Sequence, residues 1–425
     1  MGKSVFVIIS AFTSDKDTMN SSIPLPLHKV CGRSMLHNAI HLAKQITSTP
    51  PSILVDKNAE QIKEHVSNAQ IVKVMDMSTA DLIDLHALVH LAGNADMLIL
   101  LPAHMPLVTS TTLQTLLQFT ESRSLDAAVM SIEDPLSDIS FLHQVCCFST
   151  AWLNTMLENQ KSQLSDIQAF HPADINELLI VNDRVNLAAA EARMRLRINE
   201  IHMRNGVSFL DPSQTYISPE VRIGRDTLIY PGNVLEGSTT IGDACILYPN
   251  NRLHNATIDD RVTLQSSVIL DSTVGQDSTV GPFAYIRPDS IIGSNVRIGD
   301  FVEVKKSIIG DESKVSHLSY IGDAQLGKDV NIGCGVVCVN YDGKRKQRVT
   351  VGNHAFIGCN VNLVAPVEVD DNAYVAAGST ITENVPAKAL AIARARQVNK
   401  EGWVDKREEK EQKEQEEQKE QTERK

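Results

Sequence analysis

Residues 280–304 read VGPFAYIRPDSIIGSNVRIGDFVEV, and an aliphatic residue recurs at every sixth position of this stretch. The same period runs in three blocks, at Ile217, Ile223, Ile229, Leu235, Ile241 and Leu247, at Val268, Val274, Val280, Ile286, Ile292, Ile298 and Val304, and at Val351, Ile357, Leu363, Val369, Val375 and Ile381. Neither a helix nor an alternating strand has this period. A parallel β-helix does, because each group of six residues forms one flat side of a three-sided coil. The sequence therefore predicts a left-handed β-helix of roughly nine coils between Ile217 and Pro386.

The six-residue period is interrupted in a few places. Steps of five residues occur from Leu253 to Ile258 and from Ile321 to Leu326. A longer excursion runs from Tyr341 to Thr350 and contains the basic run KRKQR. Because insertions leave a solenoid as surface loops, and such loops often carry function, we expect this excursion to lie near a site.

The rest of the chain predicts three further units. Residues 1–180 alternate apolar runs such as SVFVIIS and MLILLP with helical stretches, which is typical of an α/β domain with a largely parallel sheet. Residues 181–206 are rich in Ala, Leu, Arg and Glu and predict a linker helix that Gly206 ends. The β-helix domain then spans residues 207–403. Residues 404–425 are almost wholly charged and polar, which predicts a disordered tail or a frayed helix.

Charge and composition argue against several classes of protein. The net charge of −12 disfavours a nucleic-acid partner, and the sequence has no apolar run of about 18 residues that could span a membrane. The N-terminal MGKSVFVIISAF lacks a cleavage site and is interpreted as a first strand. The seven cysteines are scattered and contain no CxxC pair, which favours a reducing compartment over disulfides or a zinc site. We therefore expect a cytoplasmic protein with no metal site.

Six segments between residues 280 and 403 are more specific than the repeat: GPFAYIRPDS, GDFVEVKKSIIG, SKVSHLSYIGDAQLGKDVNIGCG, VNYDGKRK, ALAIARARQ and KEGW. They closely resemble the acetyltransferase half of the bacterial bifunctional family that makes UDP-N-acetylglucosamine, a precursor of peptidoglycan and lipopolysaccharide. The resemblance continues more weakly through the linker helix into residues 1–180. It implies acetyl-CoA-dependent N-acetylation of glucosamine-1-phosphate, and a homotrimer with active sites between neighbouring subunits. For the N-terminal half it implies a Rossmann-like nucleotidyltransferase fold and uridylyl transfer to N-acetylglucosamine-1-phosphate.

The resemblance also implies a role for ten residues of the β-helix. His317 is the general base. The sugar-phosphate residues are Arg287, Lys305, Tyr320 and Asn331. The acetyl-CoA residues are Asn340, Tyr341, Cys359, Ala377 and Arg394. Basic Lys344, Arg345 and Lys346 are expected to help Arg394 with the cofactor phosphates.

The residue types suit this chemistry. An imidazole can take a proton from a sugar ammonium before the amine attacks a thioester, although a packed histidine without a catalytic role is the alternative for His317. Arg287 and Lys305 are eighteen residues apart, or one coil, so we expect them one rung apart on one face, where both could hold a phosphate. Glu303 could hold Lys305 or orient His317.

A second pair of residues has the same spacing. Cys359 and Ala377 are also eighteen residues apart, and their small side chains would leave a groove for the pantetheine arm. A small buried thiol is favoured over a reactive one at Cys359.

The N-terminal half departs from the family pattern. The family has LAAGxGTRM after the first strand, whereas this chain reads SAFTSDKDTMNSSIP and has no glycine between Gly2 and Gly32. Leu25 stands at a lysine position, MDMSTADLIDLHAL replaces the uracil-binding segment, and His104 replaces a metal-binding aspartate. Asn182 survives as a second candidate metal ligand, although an N-cap of the linker helix is the favoured interpretation.

These losses affect the contacts to the nucleotide phosphates, to the uracil base and to the metal ion together. We therefore predict that the N-terminal domain keeps its fold without nucleotidyl transfer, so that Mg²⁺ is needed only if that domain is active. Two alternatives stay open, a fully bifunctional enzyme and a non-catalytic β-helix scaffold.

Overall fold

The computed structural model describes residues 3–12, 18–55, 59–66, 73–76, 85–132, 143–159 and 167–423. Parts of SAFTSDKDTMNSSIP and MDMSTADLIDLHAL, which bear on the predicted loss of nucleotidyl transfer, lie outside these residues.

A seven-stranded sheet organises the N-terminal half. Its strands are β1 (Val5–Ala11), β4 (Ser52–Val55), β5 (Lys73–Asp76), β6 (Met97–Pro102), β7 (Ala127–Met130), β8 (Cys146–Ser149) and β9 (Ile167–Phe170). They are ordered β5-β4-β1-β6-β8-β7-β9, and β8 runs antiparallel to both neighbours while the other described pairs are parallel. A short hairpin adds β2 (Lys29–Val30) and β3 (Arg33–Ser34).

Five helices accompany this sheet: α1 (Met35–Ile46), α2 (Ala59–Val66), α3 (Leu85–Ala92), α4 (Ser110–Ser122) and α5 (Thr150–Asn159). Side chains alternate between the faces of a strand, so Val7 and Ile9 join one apolar cluster while Ile8 joins the other. Apolar residues thus cover both faces of the sheet, as in other parallel sheets flanked by helices. The predicted α/β domain with a largely parallel sheet is confirmed.

The linker helix α6 (Arg184–Arg204) follows. Asp183 caps its N-terminus by accepting the backbone N–H of Asn186 at 2.7 Å, so the alternative that Asn182 is the cap is wrong. The helix ends beside Gly206, whose φ of +96° suits glycine and few other residues. Buried Ala190 and Ile198 of α6 belong to the same apolar cluster as the start of the β-helix.

Residues 208–391 form a parallel β-helix with three sheets. The first sheet has eleven strands: β10 (Ser208–Phe209), β13 (Leu228–Ile229), β16 (Ile246–Leu247), β19 (Thr263–Leu264), β22 (Thr279–Val280), β25 (Arg297–Asp300), β28 (Lys314–His317), β31 (Asn331–Ile332), β34 (Phe356–Ile357), β37 (Tyr374–Val375) and β39 (Leu390–Ala391). The second has ten: β11 (Tyr216–Ile217), β14 (Val234–Glu236), β17 (Arg252–His254), β20 (Val268–Leu270), β23 (Tyr285–Ile286), β26 (Glu303–Lys305), β29 (Tyr320–Gly322), β32 (Val337–Val339), β35 (Asn362–Val364) and β38 (Thr380–Ile381). The third has nine: β12 (Arg222–Ile223), β15 (Thr240–Ile241), β18 (Thr257–Ile258), β21 (Thr273–Val274), β24 (Ile291–Ile292), β27 (Ile308–Ile309), β30 (Ala324–Leu326), β33 (Val349–Val351) and β36 (Val367–Val369).

The interior of the β-helix is the predicted stack of aliphatic residues. Nearly all of the predicted inward positions are buried, and each such side chain contributes roughly 1.5–3 kcal/mol of burial free energy. The prediction that Val268 points inward is wrong, because Ile269 is the buried residue on that side of the coil and Val268 is only half-buried. The steps from Leu264 to Ile269 and on to Val274 are five residues each, so the strict six-residue count fails locally. Ile223 is also only half-buried.

The tail is helical. Helix α7 (Trp403–Glu423) has exposed side chains wherever they are described, and its acidic and basic residues form ion pairs one turn apart, such as Arg407 with Glu411 at 2.8 Å. Across the described ranges, no helix combines the length and the apolar composition that crossing a bilayer requires.

Buried asparagine and serine side chains join successive coils at one corner of the β-helix. The Nδ2 of Asn251 donates to Oδ1 of Asn233 at 2.9 Å and to the Tyr248 carbonyl at 2.6 Å. The Oδ1 of Asn251 accepts the backbone N–H of Ser267 at 3.0 Å. One amide therefore satisfies groups on both neighbouring coils, in a place that water does not reach.

Replacing this amide tests its contribution to stability. Asn251→Ala should lower the free energy of unfolding by about 1–3 kcal/mol, because it leaves buried polar groups unpaired. Urea unfolding followed by circular dichroism measures the effect, with Thr257→Ala on the exposed outer face as the control. Equal midpoints for the two variants would show that the asparagine ladder adds nothing.

Candidate active site

His317 and Asp300 form a pair on neighbouring coils. The strands β25 and β28 place them directly opposite one another, and His317 Nδ1 lies 2.5 Å from Asp300 Oδ1. The hydrogen bond with His317 is the main cause of a lowered pKa for Asp300, so this carboxylate is ionised at neutral pH. A carboxylate that accepts the Nδ1–H leaves Nε2 as the basic nitrogen. The imidazole is half-exposed and is therefore not packed in the interior, while its catalytic role stays a prediction.

Arg287 and Lys305 lie one coil apart on the second sheet, as their spacing predicts. Arg287 Nη1 donates to Glu303 Oε1 at 2.7 Å, and this bond raises the pKa of the guanidinium. Lys305 Nζ lies 3.3 Å from Asp323 Oδ2. Both roles predicted for Glu303 are therefore wrong: Asp323 holds Lys305, and Asp300 contacts His317.

The excursion after Asn340 is a small hairpin that reaches the same cations. Tyr341 and Lys346 pair as an antiparallel bridge, and Asp342 accepts the backbone N–H groups of Lys344 and Arg345 at 2.7 and 2.6 Å. Lys346 is brought against Lys305, and hydrogen bonding to that amine lowers the pKa of Lys346. Lys346 therefore lies beside one of the cations predicted to hold the sugar phosphate, and its expected role at the cofactor phosphates stays a prediction.

Asp323 connects the two groups of predicted residues. Besides holding Lys305, its Oδ2 accepts from Nδ2 of Asn340 at 2.5 Å, and the same Nδ2 lies 3.4 Å from the hydroxyl of Tyr320. The Tyr320 ring lies over Gly322, where any Cβ would collide with it. Sequence reasoning missed Asp323, although it stands one coil after Lys305 and its φ of +50° marks a turn. Asn331 lies on the first sheet, one rung beyond Lys314.

Five outward residues stack at the corner after the first sheet, and we call them the corner column: Asp300, His317, Cys334, Cys359 and Ala377. Asp300 and His317 are paired residues of β25 and β28. The backbone N–H of Gly335 donates to the His317 carbonyl at 3.4 Å, and this bond places Cys334 beside His317. Asn360 N donates to the Cys334 carbonyl at 2.7 Å, and Gly378 N donates to the Cys359 carbonyl at 2.8 Å. These bonds continue the column to Ala377, so Cys359 and Ala377 are stacked as predicted.

The upper part of the corner column is open and lined by small groups. Cys359 is exposed, so its prediction as a buried thiol is wrong. A Cβ on Gly378 would lie 3.9 Å from Cδ of Arg394, which places Arg394 beside the top of the column. Neighbouring rungs are about 4.8 Å apart, so three steps from His317 reach Ala377 at about 14 Å. Tyr341, in the hairpin, is exposed and donates to the Gly343 carbonyl at 2.7 Å.

The N-terminal positions that depart from the family pattern are uncharged or engaged elsewhere. His104 is almost fully buried, and burial together with the nearby His143 ring lowers its pKa to about 4. Leu25 packs in the apolar interior, and Arg33 pairs with Glu220 of the β-helix at 2.7 Å. Within the described residues, no group of three His, Cys, Asp or Glu side chains could hold a metal ion.

Comparison with known proteins gives two partial family matches. The model described as "Bacterial transferase hexapeptide (six repeats)" matches residues 348–383, and the "GMPPB C-terminal domain" model matches residues 213–300. Among solved structures, a nucleotidyl transferase from Methanothermobacter thermautotroptrophicus is 14% identical and covers 48% of this chain and 99% of its own, with a TM-score of 0.35. That score is too low for a conclusion of its own.

Full-length relatives are more informative. The "Bifunctional protein GlmU" of Clostridium kluyveri is 42% identical over 442 residues, which cover 92% of this chain and 96% of the relative. The protein of the same name from Clostridium tetani is 41% identical over 441 residues, which cover 92% and 97%. The chain thus combines an α/β half that has a largely parallel sheet with a β-helix of hexapeptide repeats, as the resemblance predicts. It is a transferase, and it belongs to the family of the bifunctional protein GlmU.

Proposed function

We propose that the β-helix catalyses acetyl-CoA-dependent N-acetylation of glucosamine-1-phosphate to N-acetylglucosamine-1-phosphate, a step towards UDP-N-acetylglucosamine. The observation that carries the proposal is the His317–Asp300 pair, which lies half-exposed in the corner column, three residues before Tyr320 in the chain.

The cations suit the phosphate of the sugar. Arg287 offers a planar fork of donors, while Lys305 and Lys346 offer two amines in contact. This contact lowers the pKa of Lys346 and so disfavours its positively charged form. A phosphate dianion bound between the two amines would favour the charged form again. Tyr320 and Asn331 are proposed to hold the sugar. The carboxylates of Glu303 and Asp323 keep Arg287 and Lys305 extended before the substrate arrives.

His317 is proposed to act as the general base. Its Nε2 takes a proton from the sugar amine as the nitrogen attacks the thioester carbonyl of acetyl-CoA. The C–S bond then breaks, the amide forms, and the proton on His317 returns to the leaving thiolate. Asp300 is a positioning residue, because it holds the ring through Nδ1 and stabilises the imidazolium that forms.

Acetyl-CoA is proposed to lie along the corner column. The span of about 14 Å from His317 to Ala377 suits an extended pantetheine arm. Cys359 and Ala377 leave room for it, and Arg394 is available for a phosphate at the far end. Asn340 and Tyr341 are proposed to contact the reacting end.

A homotrimer is supported by exposed apolar residues beside the column. Phe283, Phe301 and Leu318 are each more than half exposed on successive coils, and the two phenylalanine rings stack at 5.4 Å. All three have positive φ, which is unfavourable for large side chains. Phe301 and Leu318 directly follow Asp300 and His317 in the chain. We therefore propose that another copy covers this ladder and closes the site.

For the N-terminal half we propose that nucleotidyl transfer is lost. Buried neutral His104 offers no carboxylate for Mg²⁺, and Arg33 is occupied by Glu220. A fully bifunctional enzyme is the second candidate, and identity to GlmU relatives across 92% of the chain favours it.

Two assays on the purified protein test this division of activity. With glucosamine-1-phosphate and acetyl-CoA we expect release of free thiol, and with N-acetylglucosamine-1-phosphate, UTP and Mg²⁺ we expect no pyrophosphate. Pyrophosphate at a comparable rate would establish the bifunctional candidate. If neither assay gave a product, the non-catalytic β-helix scaffold would be the remaining candidate.

A matched pair of histidines tests the base. His317→Ala should lower acetyl transfer by about 10²–10⁴-fold, because no other group takes the proton. His354→Ala is the control, since His354 is also half-exposed and also contacts an aspartate one coil earlier, at 3.1 Å. Light scattering should give a trimer for both variants. Equal rates for the two variants would remove His317 from the mechanism.

A matched pair of arginines tests the phosphate site. Arg287→Ala should raise the KM for the sugar phosphate by about ten-fold or more, because a charge-assisted bond is lost and Glu303 is left unpaired. The control is Arg261→Ala, since Arg261 also pairs with a carboxylate one coil later, Asp277 at 2.6 Å. A change confined to the KM for acetyl-CoA would contradict the assignment.

A further inference from the structure

Cys334 and Cys359 occupy adjacent rungs of the corner column. Gly333 N donates to the Ile357 carbonyl at 2.8 Å, and Asn360 N donates to the Cys334 carbonyl at 2.7 Å. In a parallel ladder these two bonds place Cys334 directly beside Cys359, with both side chains on the outer face. All seven cysteines are described. Cys359 is exposed and Cys334 is half-buried, whereas the other five are buried.

The spacing of the rungs suits a covalent bond between the two side chains. Parallel neighbours are about 4.8 Å apart, which falls within the range of about 4.4–6.8 Å between the Cα atoms of disulfides. Glycines at 333, 335 and 358 flank the pair, so few side chains restrict the rotation of either thiol. The Cβ atoms of in-register neighbours keep nearly the full strand spacing, above the mean of about 3.8 Å for disulfides. The bond would be strained and therefore easily reduced.

We infer that Cys334 and Cys359 are a modification site, a thiol pair that hydrogen peroxide converts reversibly into an intrachain disulfide. The exposed Cys359 thiolate attacks peroxide, which breaks the O–O bond and gives a sulfenic acid and hydroxide. The Cys334 thiol then attacks the sulfenic sulfur, forms the S–S bond and releases water. Two molecules of a small thiol such as glutathione reverse the step, and they leave as their own disulfide.

The disulfide has a consequence that rests on the proposed function. Cys334 lies between His317 and Cys359 on the column along which the pantetheine arm is proposed to lie. A bridge there would fill the groove one or two rungs from the base. Oxidation should therefore suppress acetyl transfer, and reduction should restore it.

The experiment treats the full-length protein with hydrogen peroxide and measures intact mass and cysteine-containing peptides. We expect a loss of two hydrogens per chain, a Cys334–Cys359 cross-linked peptide, and return of both thiols on addition of glutathione. Cys334→Ser and Cys359→Ser should each abolish the cross-link. Cys338→Ser should keep it, because Cys338 is buried in the interior of the β-helix. Sulfinic acid at Cys359 with Cys334 still reduced, a cross-link between chains, or two unreacted thiols would each overturn the inference.

Acetyl transfer is measured in parallel, as the ratio of oxidised to reduced rates within each protein. On oxidation, the rate of acetyl transfer should fall at least ten-fold in the native chain and in Cys338→Ser. In Cys334→Ser, the ratio of the oxidised to the reduced rate should stay near one. A mapped disulfide with an unchanged ratio would overturn the inhibitory consequence. If the reduced protein has no acetyl transfer at all, the proposed function fails, while the peptide map still decides whether the thiol pair exists.

Discussion

Strict register between successive coils is the constraint on which the rest of the molecule depends. Backbone hydrogen bonds between coils leave each outward residue directly beside its equivalent in the next coil, about 4.8 Å away. Residues that are sixteen to twenty-five positions apart in sequence thereby become neighbours, as Asp300 and His317 or Cys334 and Cys359 are. The aliphatic interior and the buried asparagine ladder keep that register fixed. The stacking of the interior therefore determines which outward side chains are close enough to act together.

The six-residue period was enough to predict the β-helix and two of its surface pairs. Arg287 with Lys305, and Cys359 with Ala377, are separated by one regular coil, so counting sufficed. Counting failed where the coil is shorter or longer than eighteen residues. Asp300 stands seventeen residues before His317, and the hairpin separates Cys334 from Cys359 by twenty-five, so neither pair is visible in a regular pattern. The sequence did not reveal that Glu303 pairs with Arg287. Two cations, Arg287 and Lys305, and two carboxylates, Glu303 and Asp323, lie on one face, and only the side-chain geometry shows which ion pairs form.

The N-terminal half has a structural role that does not depend on nucleotidyl transfer. Its residues Met35 and Leu107 share an apolar cluster with α6 and the first coils of the β-helix. A solenoid exposes apolar surface at its ends unless another element covers them. The contact between Arg33 and Glu220 and the fit of Gly32 against Ser218 add polar and steric complementarity at this junction. The domain thus covers the open start of the β-helix, whatever ligand it binds.

The hairpin after Asn340 shows where this architecture can change over evolutionary time. Its residues between Tyr341 and Arg348 have no partner rung in either neighbouring coil, so adding or removing residues there leaves every other stacking relationship untouched. Elsewhere, loss of a residue within a strand would shift that strand by one pleat and turn its interior residues outward, so the five-residue steps lack a residue at a corner and not within a strand. Lineages are therefore free to remodel the cation-bearing tip, whereas changes of length along the remaining prism are confined to its corners or to entire coils.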